Sequence, residues 1–140
     1  MILLDTNVFS ALMQLADEPL VQAWLDLQDP EMLFTSTPTV FELRFGIERL
    51  PVGRRRRALA SSYDFVMSNI LVHRILGFDP ASAAAAGKAR ARQQAKGITA
   101  EVPDSQIAGI AINLGASVAT RDLKGFSQIG LHLINPWASP

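Results

Sequence analysis

The chain opens on an uninterrupted apolar run, Met1-Ile2-Leu3-Leu4, that stops at Asp5-Thr6-Asn7. Apolar residues in unbroken succession, closed by turn formers, describe a strand buried on both faces. Such strands belong to parallel sheets covered by helices. This feature points the chain towards an α/β architecture. It also sets an acid at the strand's carboxyl end, the edge at which open parallel sheets hold their ligands. Asp5 has a plainer reading too: Asp is a favoured N-cap, and residues 6–13 follow as a short helix. The choice between cap and ligand turns on the acids that come later.

At 140 residues, with 49% of them apolar, the chain is expected to be one domain, residues 1–140, with a core that needs no crosslinks. It has no cysteine, which excludes a disulfide framework, thiolate metal sites and a cysteine nucleophile. Two histidines, His73 and His132, are too few for a multi-histidine zinc site. Any metal would be held by oxygen, which points to Mg²⁺ or Mn²⁺. Thirteen basic and thirteen acidic residues cancel, so a nucleic-acid surface would have to be local. The N-terminus has no basic region followed by a long apolar core, and no apolar run is long enough to span a bilayer. A soluble, cytoplasmic protein with no membrane partner is expected.

Along the chain, Glu18-Pro19 opens a helix to about residue 27, with Leu20, Ala23, Trp24 and Leu27 on its expected apolar stripe. Residues 31–36 read as a second strand, and Thr37-Pro38 opens a helix over 38–50. There Val40, Leu43, Ile47 and Leu50 share one face, with Phe41 and Phe45 on another side. Glu42 falls between Phe45 and Gly46 on this helix, a poor place for a solvated charge. A helix-interior glycine costs roughly 1 kcal/mol against Ala, which suggests that room is needed beside the acid. The alternative is a partly exposed acid on an ordinary helix. Arg54, Arg55, Arg56 and Arg57 lead into a helix through about residue 69, either as a solvated face or as a phosphate contact. A short strand is expected within residues 70–76. Asp79-Pro80 caps an alanine-rich helix over 81–96, and Pro103 opens another with Asp104 in its first turn. That helix carries Ile107, Ile110, Ala111 and Leu114 as its stripe. Residues 117–120 form a strand followed by Arg121-Asp122, and 131–134 a last strand.

In a parallel sheet each crossover helix runs antiparallel to the strands, so helix starts and strand ends share one edge. Asp5 and Asp122 follow strands, Asp104 stands at a helix start, and Glu42 sits one turn inside a helix that directly follows a strand. Each acid alone has an ordinary explanation. All four reaching one edge is far harder to explain that way. Two carboxylates ~4 Å apart repel by about 4 kcal/mol at an effective dielectric near 20. A divalent cation reverses that sign, lowers the pKa of a water and neutralises charge on a phosphodiester.

The segments LLDTNV, FELRFGI around Glu42, PDSQIAGIA around Asp104 and ATRD ending at Asp122 together resemble the PIN-domain family, and within it the VapC-type toxin ribonucleases. The closing INPW is similar to the FitB-like subgroup. Each motif alone is weak, but their order and spacing run over essentially the whole chain. The resemblance implies a three-layer α/β/α sandwich around a mainly parallel sheet, and Mg²⁺- or Mn²⁺-dependent cleavage of single-stranded RNA. It makes Asp5, Glu42, Asp104 and Asp122 the catalytic and metal-binding acids. Asn7 and Thr120 match the family's polar supporting positions, and Arg44 and Arg121 its frequent basic neighbours, with an internal ion pair as the other reading of either arginine. Val102-Pro103 departs from the small residues expected before Asp104, which bears on the local loop. The resemblance also implies a homodimer held inactive by a cognate small DNA-binding antitoxin. A FitB-like regulatory partner of such an antitoxin is the alternative to an RNA-cutting toxin.

Overall fold

The computed structural model describes residues 1–138. Its strands are β1 (Ile2–Leu4), β2 (Leu33–Ser36), β3 (Ile75–Leu76), β4 (Ser117–Ala119) and β5 (Leu133–Ile134), joined in the order β3-β2-β1-β4-β5 with every neighbour parallel. The apolar opening run is the central strand. Ile2 pairs with Leu33 on one side and Ser117 on the other.

The helices are α1 (Thr6–Leu12), α2 (Pro19–Asp26), α3 (Thr37–Glu48), α4 (Arg54–Phe65), α5 (Pro80–Ala95) and α6 (Val102–Leu114). The chain steps from β1 through β2 to β3, then crosses back to β4 and β5. Because parallel crossovers are right-handed, reversing direction puts the two sets of helices on opposite faces. The core divides accordingly. Leu4, Leu33 and Ala119 pack with Val8, Phe9, Ile47 and Tyr63 under α1–α4, while Leu3 and Val118 pack with Ala89, Ile107 and Ile110 under α5 and α6. Adjacent β1 residues thus serve opposite layers, as strand alternation requires. This is the expected three-layer α/β/α sandwich. Among the described residues no helix is long and apolar enough to cross a membrane.

Short polar side chains cap three of these six helices. Asp5, Ser36 and Asp79 each accept a hydrogen bond from the backbone N–H three residues on, and Pro38 and Pro80 occupy first-turn positions. The layer of α5 and α6 relies on a close approach: a Cβ on Gly109 would lie 2.3 Å from the Ser82 carbonyl oxygen and 2.6 Å from the Ala86 Cβ.

Some local expectations need correction. The buried side of α2 is Val21 with half-buried Trp24 and Leu25, whereas Leu20, Ala23 and Leu27 are exposed. Leu114 at the end of α6 is exposed as well. Residues 66–70 form a π-turn that ends the helix begun at Arg54. Gly46 is not making room for a neighbour, since a Cβ there would meet nothing within 4 Å.

Candidate active site

The sheet's change of direction occurs at β1, between β2 and β4, and this is where open α/β sheets leave a crevice at their carboxyl edge. β1 ends at Asp5 and β4 runs into Thr120. Asp5 is 2% exposed and both its oxygens are engaged. Oδ1 accepts the Val8 N–H at 2.9 Å, and Oδ2 accepts the Thr120 hydroxyl at 2.5 Å. The cap and site readings of Asp5 are therefore compatible, since one oxygen starts α1 while the other faces β4. Thr120 also accepts the Asp122 N–H at 2.9 Å, so one buried hydroxyl sets both acids.

Glu42 comes from the second turn of α3, which starts immediately after β2. Thr6 donates to its Oε1 at 3.3 Å, and the Thr6 hydroxyl lies 3.1 Å from that of Thr39. Asp104 stands in the first turn of α6. The Val102-Pro103 pair makes no irregular loop: it forms the start of that helix, with Glu101 as N-cap residue. Asp122 lies beyond β4, where its Oδ1 accepts the Gly125 N–H at 3.0 Å. Glu42, Asp104 and Asp122 line a cleft of about 320 Å³ together with Thr6, Asn7, Thr99, Glu101 and Pro103. Asp5 lies buried beside it.

The cluster is electrostatically uncomfortable. Burial pushes the Asp104 carboxyl up to about 6, with Asp5, Asp122, Glu101 and Glu42 adding to the effect. Burial also raises Asp5, with a smaller push from Asp122, against the lowering effect of the Thr120 and Val8 bonds. Burial raises Glu42, helped by Glu101 and Asp5 and opposed by Thr6. Among the described residues the ion pairs are Arg44–Asp64, at 3.9 Å, and Arg56–Glu48. No cation of the protein neutralises the four acids there.

The donors are all hard oxygens and carry an uncompensated negative charge, which suits Mg²⁺ or Mn²⁺. Among the described residues no three acids stand close enough to grip one ion together. A grip through one or two carboxylates, with waters completing the shell, is the usual habit of Mg²⁺.

The remaining predicted residues divide. Asn7 lines the cleft and Thr120 lies beneath it. Arg44 does not line the cleft; its guanidinium lies 4.6 Å from the Tyr63 ring and 3.9 Å from the Asp64 carboxylate, an exposed pair. Arg121 stacks on the Trp137 ring at 4.1 Å. Of the arginine run, Arg56 pairs with Glu48, and Arg54 and Arg57 are exposed. Arg55 lines a groove with Arg49 that reaches Glu42. Sequence reasoning missed Glu101 and Thr6. Glu101 could have been found, because it precedes Asp104 by three positions and so shares its helix face. Thr6 had no such signal, since its partners Thr39 and Glu42 are distant in sequence.

A parallel α/β sheet whose switch-point crevice gathers acids from four separate segments defines a class of acidic-cleft α/β proteins. This chain belongs to the PIN domain family, whose model matches residues 2–131. It is 41% identical over 137 residues to the plasmid stability protein StbB of Pseudomonas syringae pv. tomato, spanning 98% of this chain and 99% of that one. It is 38% identical to the VapC ribonuclease Y4jK of Sinorhizobium fredii, spanning 98% of both chains. The toxin FitB of Neisseria gonorrhoeae is 34% identical, with 98% of this chain and 99% of that one covered. A structure of FitAB bound to an IR36 DNA fragment superposes with a TM-score of 0.89 at 33% identity, covering all of this chain and 98% of that one.

Proposed function

We propose that this chain is a metal-dependent endoribonuclease, the toxin of a type II toxin–antitoxin pair. The observation that carries the reading is the acidic cleft, lined by Glu42, Asp104 and Asp122 with Asp5 buried beside it, and with no ion pair to any of the four among the described residues. The names of its relatives, a VapC ribonuclease and a FitB toxin, support the same reading.

Among Asp5, Glu42, Asp104 and Asp122, one or two carboxylates would hold the ion directly and the others would act through its waters. When bound, Mg²⁺ or Mn²⁺ supplies a lowered water pKa and neutralises charge at the scissile phosphate. The chain's own residues do the positioning. Thr120 fixes Asp5 and the Asp122 backbone through one hydroxyl, Thr6 steadies Glu42, and Asn7 offers a polar contact at the rim. An attacking water's oxygen forms the new bond to phosphorus, its proton passes to a cleft carboxylate, and the P–O bond to the leaving ribose oxygen breaks as that oxygen takes up a proton from solvent. The groove from Glu42 to Arg49 and Arg55 offers a cationic path for the RNA backbone.

The proposed partners are the RNA substrate, a cognate small DNA-binding antitoxin and a second copy of the chain, and the proposed compartment is the cytoplasm. The FitAB complex on DNA favours a second reading, in which the chain acts mainly as a regulatory partner of its antitoxin. Expression of the chain alone in bacteria separates them. Growth arrest relieved by Asp5→Asn, with RNA cleavage by purified protein that needs Mn²⁺ and stops in chelator, is expected. Equal harmlessness of both proteins, with no RNA cut by either, overturns the nuclease reading.

A further inference from the structure

Gln93 has no part in the cleft as described, yet it is a full-length amide held at 2% exposure in α5. Its Nε2 donates to the Gly125 carbonyl at 3.0 Å and to the Ser127 carbonyl at 3.0 Å. Both amide hydrogens are thus spent on one short turn, the 3-10 segment Lys124–Phe126 and the residue after it. A leucine or methionine would fill the same space in α5 without burying a polar group. What the amide adds is a fixed place for the turn.

That turn holds Asp122. Gly125 N–H donates to Asp122 Oδ1 at 3.0 Å. A Cβ on Gly125 would lie 2.5 Å from Asp122 Oδ2 and 3.5 Å from Asp104 Oδ2. Gly125 is not among the residues at positive φ, so its backbone suits any amino acid, and a side chain there would force the Asp122 carboxylate to move. From the other side, the Asp122 N–H is held by Thr120.

We propose that Gln93 is a positioning residue for the acidic site: through the Lys124–Phe126 turn it fixes the carboxylate of Asp122, for which Gly125 supplies both a hydrogen-bond donor and vacant space. The proposal rests on the metal-site reading above for its ligand. The pinning of the turn stands on the hydrogen bonds themselves.

The test uses full-length protein and Mn²⁺ alone, with binding followed by electron paramagnetic resonance. Gln93→Met and Gly125→Ala are compared with Ile110→Val, a core change that costs stability without touching the turn. Gln93→Met and Gly125→Ala should each weaken Mn²⁺ binding roughly tenfold or more, the range in which outer partners of metal ligands act. Ile110→Val should lower the melting temperature and leave Mn²⁺ affinity alone. In chelator, the Gly125 amide proton should lose its downfield shift and its exchange protection in Gln93→Met. If Gln93→Met loses no more Mn²⁺ affinity than Ile110→Val, the residue is structural only and the proposal falls. Should Gln93→Met fail to fold, Gly125→Ala decides, and unchanged Mn²⁺ affinity overturns the proposal. If wild type binds no Mn²⁺, it is the metal-site reading that has failed. The amide then decides this proposal: a Gly125 proton unchanged in Gln93→Met overturns it, and a shifted, unprotected one upholds it.

Discussion

Replacing Asp104 with Asn should make the metal-free protein more stable. The Asp104 carboxyl is raised from 3.8 to about 6 by burial and by four neighbouring acids. At ~1.36 kcal/mol per unit, that is a penalty of about 3 kcal/mol for holding the charge. The site is partly open to water, and screening leaves about 1–2 kcal/mol. The helix dipole favours an acid at this position by about 0.3–1 kcal/mol, which Asn gives up in part. The net gain is then about 0.5–1.5 kcal/mol, or roughly 2 to 5 °C for a chain of this length. The pH dependence carries the sign. A folded-state value above the unfolded one means that the folded protein binds the proton more tightly. Wild type therefore carries no deficit below about pH 4, accumulates it between about 4 and 6, and bears it in full above that range. The assay is a set of melting curves for both proteins at about pH 4 and about pH 7.5, with chelator and with Mn²⁺. In chelator the two should coincide at the acidic end and separate at the neutral end, with the mutant higher. Excess Mn²⁺, at about 100 times its dissociation constant, should stabilise wild type by about 2.7 kcal/mol and barely move the mutant. A mutant that melts no higher than wild type at neutral pH in chelator, together with an equal response to Mn²⁺, would refute the charge-crowding argument.

Other outcomes follow from named contacts. Gly109→Ala should destabilise by about 3 kcal/mol or more in urea, because its Cβ meets the Ser82 carbonyl at 2.3 Å; an unchanged midpoint would mean that α5 and α6 can separate freely. Thr120→Val should cost about 1–3 kcal/mol and push the Asp5 carboxyl further up, read from carboxylate ¹³C shifts, because the hydroxyl that lowers it is gone. An Asp5 titration that stays put would remove Thr120 from the site. Replacing Arg54, Arg55, Arg56 and Arg57 with Gln should weaken RNA binding and flatten its salt dependence. Replacing Arg56 alone should have a smaller effect, because it already pairs with Glu48; an unchanged slope for the fourfold variant returns the run to a solvated face.

The outline of the fold was legible because its signals are local. An apolar run ending in Asp5, caps at Ser36 and Asp79, and prolines in the first helical turns act within a few residues. The parallel arrangement then follows from handedness, and the edge on which the four acids gather follows from the arrangement. What escaped depends on partners far along the chain. The buried side of α2 was misjudged because Val21 and Leu25 meet the core while Leu20 and Leu27 face outward, a choice made by packing rather than by local pattern. Gly46 looked like space reserved beside Glu42, yet nothing approaches it. Gln93 reads as one more polar residue in an alanine-rich helix until the turn 32 residues away is seen against it.

The order of the strands also sets a timetable. β1 is synthesised before the other four strands and is the centre of the finished sheet, but one of its edges is reserved for β4, residues 117–119. The Asp5 N–H waits for the Ala119 carbonyl, and Oδ2 of Asp5 waits for Thr120. A growing chain therefore carries Asp5 and Glu42 long before it can assemble the cleft. Pairing across so large a sequence separation is slow and comes late. Fragments cut short before Asp122, whether released early from the ribosome or clipped by a protease, keep most of the sequence and none of the completed cleft.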